Sequence, residues 1–210
     1  MKKILLALMF PLMLLAVSNE NILAVSWLNG YCKAYPNKPV CINRKPGDYS
    51  LTHFTLHGLW PKNKEYCSYK PMKLSKRFMK ILEKYMPGAK YGLAKHEWKK
   101  HGTCFGTDAE TYFITAIKFT QQFNETLLLQ FFRMHMGQTV SLKRMRWTFG
   151  QIFGKGNVRK FQMVCKKGYV TEIRINLKGN PVTGDFYQLI DNADEMKGVK
   201  QCPMGIIATP

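Results

Sequence analysis

The sequence predicts an α+β domain with a central, mainly antiparallel sheet, several packed helices and disulfide staples. Three observations point there. Strand-like runs sit toward both ends of the chain and helical periodicity fills the middle, so no regular βαβ alternation is present. Apolar residues make up 46% of 210 residues, enough for a substantial core. Six cysteines follow an N-terminus with the layout of an export signal.

The elements follow in order. Lys2 and Lys3 precede an apolar run from Ile4 to Val17, shorter than the roughly 20 residues of a membrane span. Small residues at 16–18 offer a cut after Ser18, so residues 1–18 read as a signal peptide and 19–210 as the mature domain. A second possible cut follows Ser26, but residues 21–27 read as the first strand, with an apolar run over 22–26. Residues 32–47 hold three prolines and a glycine and read as a loop. Residues 49–59 alternate loosely and read as a strand running into the Gly58/Pro61 break. Ser75 caps a helix to about Met86, where Pro87-Gly88 stops it. A short helix runs from about Leu93 to Gly102, and Thr107 or Asp108 caps another reaching about Phe123. Residues 125–136 and 142–153 are further helices. Residues 160–164 and 169–177 are strands, the second placing Val170, Glu172, Arg174 and Asn176 on one face. Without repeats, long linkers or low-complexity segments, this is one domain.

Charge narrows the partner. Lys+Arg 32 against Asp+Glu 13 gives +19. Removing Lys2 and Lys3 leaves 30 basic residues and +17, so the excess belongs to the mature domain. An acidic buffer or metal-storage protein is excluded, and a nucleic acid, an anionic lipid surface or a polyanionic glycan is expected. Cys32, Cys41, Cys67, Cys104, Cys165 and Cys202 suggest three disulfides in an exported chain, hence a secreted or periplasmic protein. Proximity favours Cys32–Cys41. No CxxC pair suggests structural zinc.

Four of the five histidines fall in two short segments, His53 to Pro61 and Lys95 to Cys104. On a helix, His96, Lys100, Glu97 and His101 share an arc of about 140°, while Trp98 and Lys99 point elsewhere. The C-terminal dipole of that helix favours protonated His101. The spacing His-Glu-x-x-x-His is not the His-Glu-x-x-His of zinc proteases, and a lysine in the arc opposes a metal; none is expected, nor any other cofactor. Incidental histidines on an amphipathic helix are the plain alternative, weakened by four functional side chains sharing one arc. His57 ends a strand beside Gly58, with Trp60 three residues on. His53 shares the strand face of His57, with a structural role favoured. Two imidazoles, a lysine and a glutamate without metal fit phosphodiester transfer in RNA. One imidazole takes the 2′-OH proton, the other protonates the leaving 5′-oxygen, and cations stabilise the phosphate charge. DNA lacks the nucleophile.

Residues 54–61, Phe-Thr-Leu-His-Gly-Leu-Trp-Pro, and 96–104, His-Glu-Trp-Lys-Lys-His-Gly-Thr-Cys, together resemble the two catalytic segments of the ribonuclease T2 family of secreted endoribonucleases. Weaker similarity covers most of the mature chain, from Ala24–Cys32 to the late strand at 169–177. The resemblance implies His101 as general base and His57 as general acid in forming a 2′,3′-cyclic phosphate. The two exchange roles when water opens it to a 3′-phosphate. It further implies that His96 binds phosphate, that Glu97 and Lys100 stabilise the pentacovalent state, and that Trp60 joins the base pocket. It implies disulfides Cys67–Cys104 and Cys165–Cys202, no metal, and activity at mildly acidic pH. Two departures stand out. Many members carry a cysteine where Ile175-Asn176-Leu177 stands. Some carry an acidic residue after Pro61, where this chain has Lys62-Asn63, which leaves base preference open. Tyr66 and Tyr69 are candidate stacking partners.

The expectation is a monomeric endoribonuclease of low base specificity acting on single-stranded RNA, with no DNA partner and no stable membrane association after leader removal. Rival readings are a histidine phosphodiesterase on another substrate, such as a cyclic nucleotide, and a catalytically silent basic RNA-binding or toxin-like protein on the same fold. Gly154-Lys155-Gly156 lacks the spacing of a phosphate loop. Asn124-Glu125-Thr126 is a glycosylation sequon between helices.

Overall fold

The computed structural model describes residues 16–210. The expected leader falls almost wholly outside them. Strand β1 (Glu20–Ser26) is central. It pairs antiparallel with β2 (Thr55–Pro61) on one side and with β5 (Tyr169–Lys178) on the other. Strand β4 (Phe161–Lys166) pairs antiparallel with β5. Two short strands, β3 (Thr139–Ser141) and β6 (Met204–Ile206), pair with each other, and β6 meets β5 parallel at Tyr169 and Ile206. The sheet is thus mainly antiparallel, and the fold class is the α+β one expected.

Along the chain, α1 (Leu28–Ala34) and α2 (Pro39–Ile42) follow β1. Helices α3 (Lys76–Tyr85), α4 (Leu93–Lys100), α5 (Ala109–Asn124), α6 (Leu127–Met134) and α7 (Leu142–Phe153) fill the middle. Helix α8 (Phe186–Asp191) follows β5. Among the described residues none of these is long and apolar enough to cross a membrane. Short polar side chains start several of them: Ser75 accepts from Phe78 N, Asp108 from Thr111 N, Thr126 from Leu128 N and Ser141 from Arg144 N. Each such cap stabilises its helix by about 1 kcal/mol. The core is aromatic. Trp27, Phe54, Phe123 and Phe132 interlock tilted or edge to face, and Trp27 Nε1 donates to Ala208 O.

Several local expectations fail for physical reasons. Residues 32–47 are not one loop. Leu28–Ala34 is helical, and Pro39 opens a second helix at a position where its missing N–H is not needed. The strand expected from residue 49 begins only at Thr55, after a 3₁₀ turn at Tyr49–Leu51. There Asn124 Oδ1 accepts from Phe54 N while its Nδ2 donates to Phe54 O and Tyr49 OH, taking the groups a ladder would use. The same bonds occupy the sequon amide, so Asn124 is a structural clamp. The strand also runs through Gly58 to Pro61, because β2 is a sheet edge and needs no further donor. The short elements β3, β6 and α8 carried too little periodicity to be foreseen.

All three disulfides form: Cys32–Cys41, Cys67–Cys104 and Cys165–Cys202. Within Ile175-Asn176-Leu177, Asn176 is buried and its Nδ2 donates to Asp194 O.

Candidate active site

The site begins with an irregularity in β2. Ala24 pairs with Gly58 but Val25 pairs with Leu56, which leaves His57 as an extra residue. Such a bulge shifts the pleat by one position and re-aims a side chain. Hence Leu56 and Leu59, an odd number of positions apart, both enter the core, while His57 and Trp60 share the opposite side.

Helix α4 brings the second segment against that face. Glu97 is almost wholly buried and His101, at the helix C-cap, is 7% exposed. Trp60 Nε1 donates to Glu97 Oε2 at 2.7 Å, and Glu97 Oε1 lies 3.7 Å from His57 Nε2. Gly58 permits this closeness, since a Cβ there would overlap the Glu97 carboxylate and the Trp60 indole nitrogen. The rings of His57 and His101 each lie 5.3 Å from Trp60, so both imidazoles border the indole. Lys100 is half-buried and pairs with exposed Glu65 at 3.2 Å. Such a pair is worth about 0–1 kcal/mol and yields readily to a stronger anion. His96 is exposed and lines a cavity of about 780 Å³ with His57, Tyr31, Tyr35, Tyr91 and Arg174.

Strand β5 supplies what sequence reasoning missed. Glu172 is buried, and its Oε2 lies 2.5 Å from His57 Nδ1. Its other oxygen accepts from Arg174 Nε, and the Arg174 guanidinium covers the Trp60 ring at 4.9 Å. Alternation along β5 had placed Glu172 and Arg174 on one face. Nothing in sequence showed that β1 would lay that face beside His57.

The two histidines diverge electrostatically. Burial pulls His57 down. The hydrogen bond and charge of Glu172, with Glu97 behind them, outweigh it and raise His57 above its ordinary value. Burial and then Lys100 push His101 down to about 4. The expected dipole protection of protonated His101 is overturned, because desolvation and a neighbouring cation exceed the roughly 1 kcal/mol of a helix end. His101 Nδ1 is buried without a partner among the described residues. Glu97 is raised, chiefly by burial. Glu172 is lowered: burial raises it, but His57 and Arg174 prevail.

The remaining candidates separate. Trp60 borders both histidines under Arg174 and, like Glu97, Lys100 and His101, lies outside the lining of the cavity. Tyr66 and Tyr69 also lie outside that cavity. Tyr66 N is tied to Lys100 O, while Tyr69 borders a small separate cavity with Trp98. His53 precedes the strand and is held by Thr52, Tyr49 and Arg133, a structural placement. Among the described residues no group of three or more His, Cys, Asp or Glu side chains is placed to hold a metal ion.

The sequence profile of the Ribonuclease T2 family matches residues 20–191. Ribonuclease I of Escherichia coli K12 is 26% identical, covering 77% of this chain and 75% of its own. Human ribonuclease T2 is 34% identical over a shorter stretch, 40% of this chain and 33% of its own. In fold, the self-incompatibility-associated SF11-RNase of Nicotiana alata superposes with a TM-score of 0.65 at 19% identity, covering 90% of this chain and 98% of its own. A ribonuclease MC1 variant solved with 5′-UMP gives 0.60 at 18%, covering 80% and 91%. With the profile spanning both histidine segments and β5, the chain belongs to the ribonuclease T2 family of RNA-cleaving enzymes.

Proposed function

We propose that the mature protein, freed of residues 1–18, is a secreted or periplasmic, monomeric and metal-independent endoribonuclease of low base specificity. It cleaves single-stranded RNA to 3′-phosphate ends through a 2′,3′-cyclic phosphate. The observation that carries this reading is the pair of imidazoles bordering Trp60, His57 against the buried Glu172 carboxylate and His101 beside the Lys100 cation.

Neutral His101 takes the ribose 2′-OH proton. The 2′-oxygen bonds to phosphorus, the P–O5′ bond breaks, and protonated His57 gives its proton to the 5′-oxygen. In the second step His57 takes a proton from water, the new hydroxyl bonds to phosphorus, and the P–O2′ bond breaks as His101 returns its proton. Glu172 holds the His57 ring and supports its charge. Lys100 releases Glu65 to meet the phosphate, and His96 contacts it from the cavity rim. Glu97, raised chiefly by burial, sits against Trp60 and His57, where its carboxyl group supports the pentacovalent state. Solved structures of similar fold with nucleotides bound, ribonuclease MC1 with 5′-UMP and RNase NT with 5′-AMP, support a nucleotide-binding reading.

The test incubates the protein with RNA and matched DNA in excess EDTA, scores cyclic-phosphate ends, and includes His57→Ala and His101→Ala. RNA cleavage alone is expected, with each variant reduced by about 10²–10⁴-fold. EDTA sensitivity, DNA cleavage or an active variant overturns the mechanism.

A further inference from the structure

A second cavity, of about 580 Å³, adjoins the active-site cavity and shares Val40, Pro87 and Tyr91 with it. Its character differs. Arg44, Lys80, Lys84 and Lys90 line it, against Asp48 and Glu83. Glu83 is engaged by Lys90 at 3.8 Å, and Asp48 Oδ2 accepts from Lys45 N. Lys80 and Lys84 make no ion pair among the described residues, and Lys84 Nζ instead sits 5.5 Å from the Tyr49 ring. Arg44 is half-buried, donates only to the neutral oxygens of Asn29 and Ser50, and keeps a buried, unpartnered Nε. Burial lowers its pKa more than Asp48 raises it, so this guanidinium is desolvated without a compensating carboxylate. His53 is also present but closed off by Arg133, Thr52 and Tyr49, so it contributes shape and no free donor.

We propose that this cavity is a distal RNA subsite, holding a backbone phosphate of the strand beyond the scissile step through Lys80, Lys84 and Arg44. The inference rests on the ribonuclease reading and deepens it. Continuity decides for RNA over any other anion, because a strand leaving the active-site cavity past Pro87 and Tyr91 enters this one directly. Reach allows it: His53, on its wall, is four residues from His57, a span of at most about 14 Å. Lysines suit the task, since an ammonium neutralises any phosphate without reading a base.

Fluorescence anisotropy with a non-cleavable 2′-O-methyl decauridylate tests the subsite independently of turnover. Lys80→Gln/Lys84→Gln changes exposed side chains and spares every residue assigned to catalysis. For single strands each lost phosphate contact lowers the slope of log affinity against log salt by about 0.7, so the double variant is expected to lose about 0.7–1.4. In cleavage assays, a decanucleotide is expected to lose about tenfold in kcat/KM while a dinucleoside monophosphate, too short to reach the cavity, stays within about twofold. An unchanged salt slope overturns the subsite. So does an equal loss on both substrates, which would assign these lysines to the reaction centre. If wild type cleaves neither substrate yet the slope still falls in the variant, the catalytic reading fails and the subsite stands.

Discussion

Replacing Glu172 with Gln isolates the feature on which the proposed proton inventory depends. The side chain is buried, and its carboxylate meets His57 Nδ1 at 2.5 Å. Glutamine keeps the shape, and its carbonyl still accepts the Nδ1 proton, so ring placement survives and only charge is lost. A hydrogen bond to a charged partner contributes about 1.5–3 kcal/mol and a neutral one about 0.5–1.5, a difference of about 1–1.5 kcal/mol. That corresponds to about a tenfold shift toward neutral His57. Arg174, left without its carboxylate, pushes the same way. Because the group that protonates the 5′-oxygen must carry a proton, a raised His57 sustains activity to higher pH. Losing Glu172 therefore moves the alkaline limb of the kcat/KM profile downward and costs about tenfold above it. The acid limb, set by His101 near 4, stays in place, because the groups acting on it are Lys100, Glu65, His96 and His57. The profile is measured on a dinucleoside monophosphate. A uniform loss with both limbs fixed, or an alkaline limb moving upward, refutes the role given to Glu172.

Three further outcomes follow from the geometry. Gly58→Ala drives a methyl group into the Glu97–Trp60 hydrogen bond and is expected to lower kcat by about 100-fold, the usual consequence of displacing a reacting group by about 1 Å; a far smaller loss in steady-state assays would show that this closeness is dispensable. Converting Cys67 and Cys104 to Ser opens a crosslink with sequence separation 37 and is expected to cost about 4 kcal/mol in chemical denaturation. Asn124→Ala strips partners from Phe54 N and O and is expected to cost about 2–4 kcal/mol by the same measurement; mass spectrometry of protein from a glycosylating host should find wild-type Asn124 bare.

What sequence could reveal depended on how local each contact was. Helix α4 was legible because its chemistry repeats within a few turns: Glu97 meets Trp60 and His57, His101 meets Trp60, and His96 lines the cavity. Ser75, Asp108 and Pro87 marked helix ends by backbone chemistry that acts over three or four residues. Glu172 was visible only as a member of an alternating strand. Its contact with His57 spans 115 residues of sequence and exists because β1 lies between β2 and β5. The bulge at His57 was equally hidden, since an extra residue is defined by the partner strand. The dipole argument for His101 failed for a related reason. It counted the local helix end and not the burial created by Trp60 and the surrounding chain.

The formal charge of +19 gives no guide to the proton states inside the site. His57 lies between two buried carboxylates, Glu97 and Glu172, in a strongly basic protein. Exposed charges are screened over about 10 Å at 0.1 M salt, whereas buried partners in contact are screened far less. The lysine excess therefore acts at long range on the approach of RNA, while contact partners fix which imidazole holds the proton. Lys100 is the surface-reaching exception, because it adjoins His101. The two effects separate by experiment. Replacing exposed Lys143 and Lys155 with Gln is expected to lower kcat/KM on long RNA at low salt by less than about tenfold, with the loss vanishing at high salt and both pH limbs unmoved. A shift of either limb would mean that the distant field reaches the histidines after all, and that their opposite states are not the work of Glu172, Lys100 and burial.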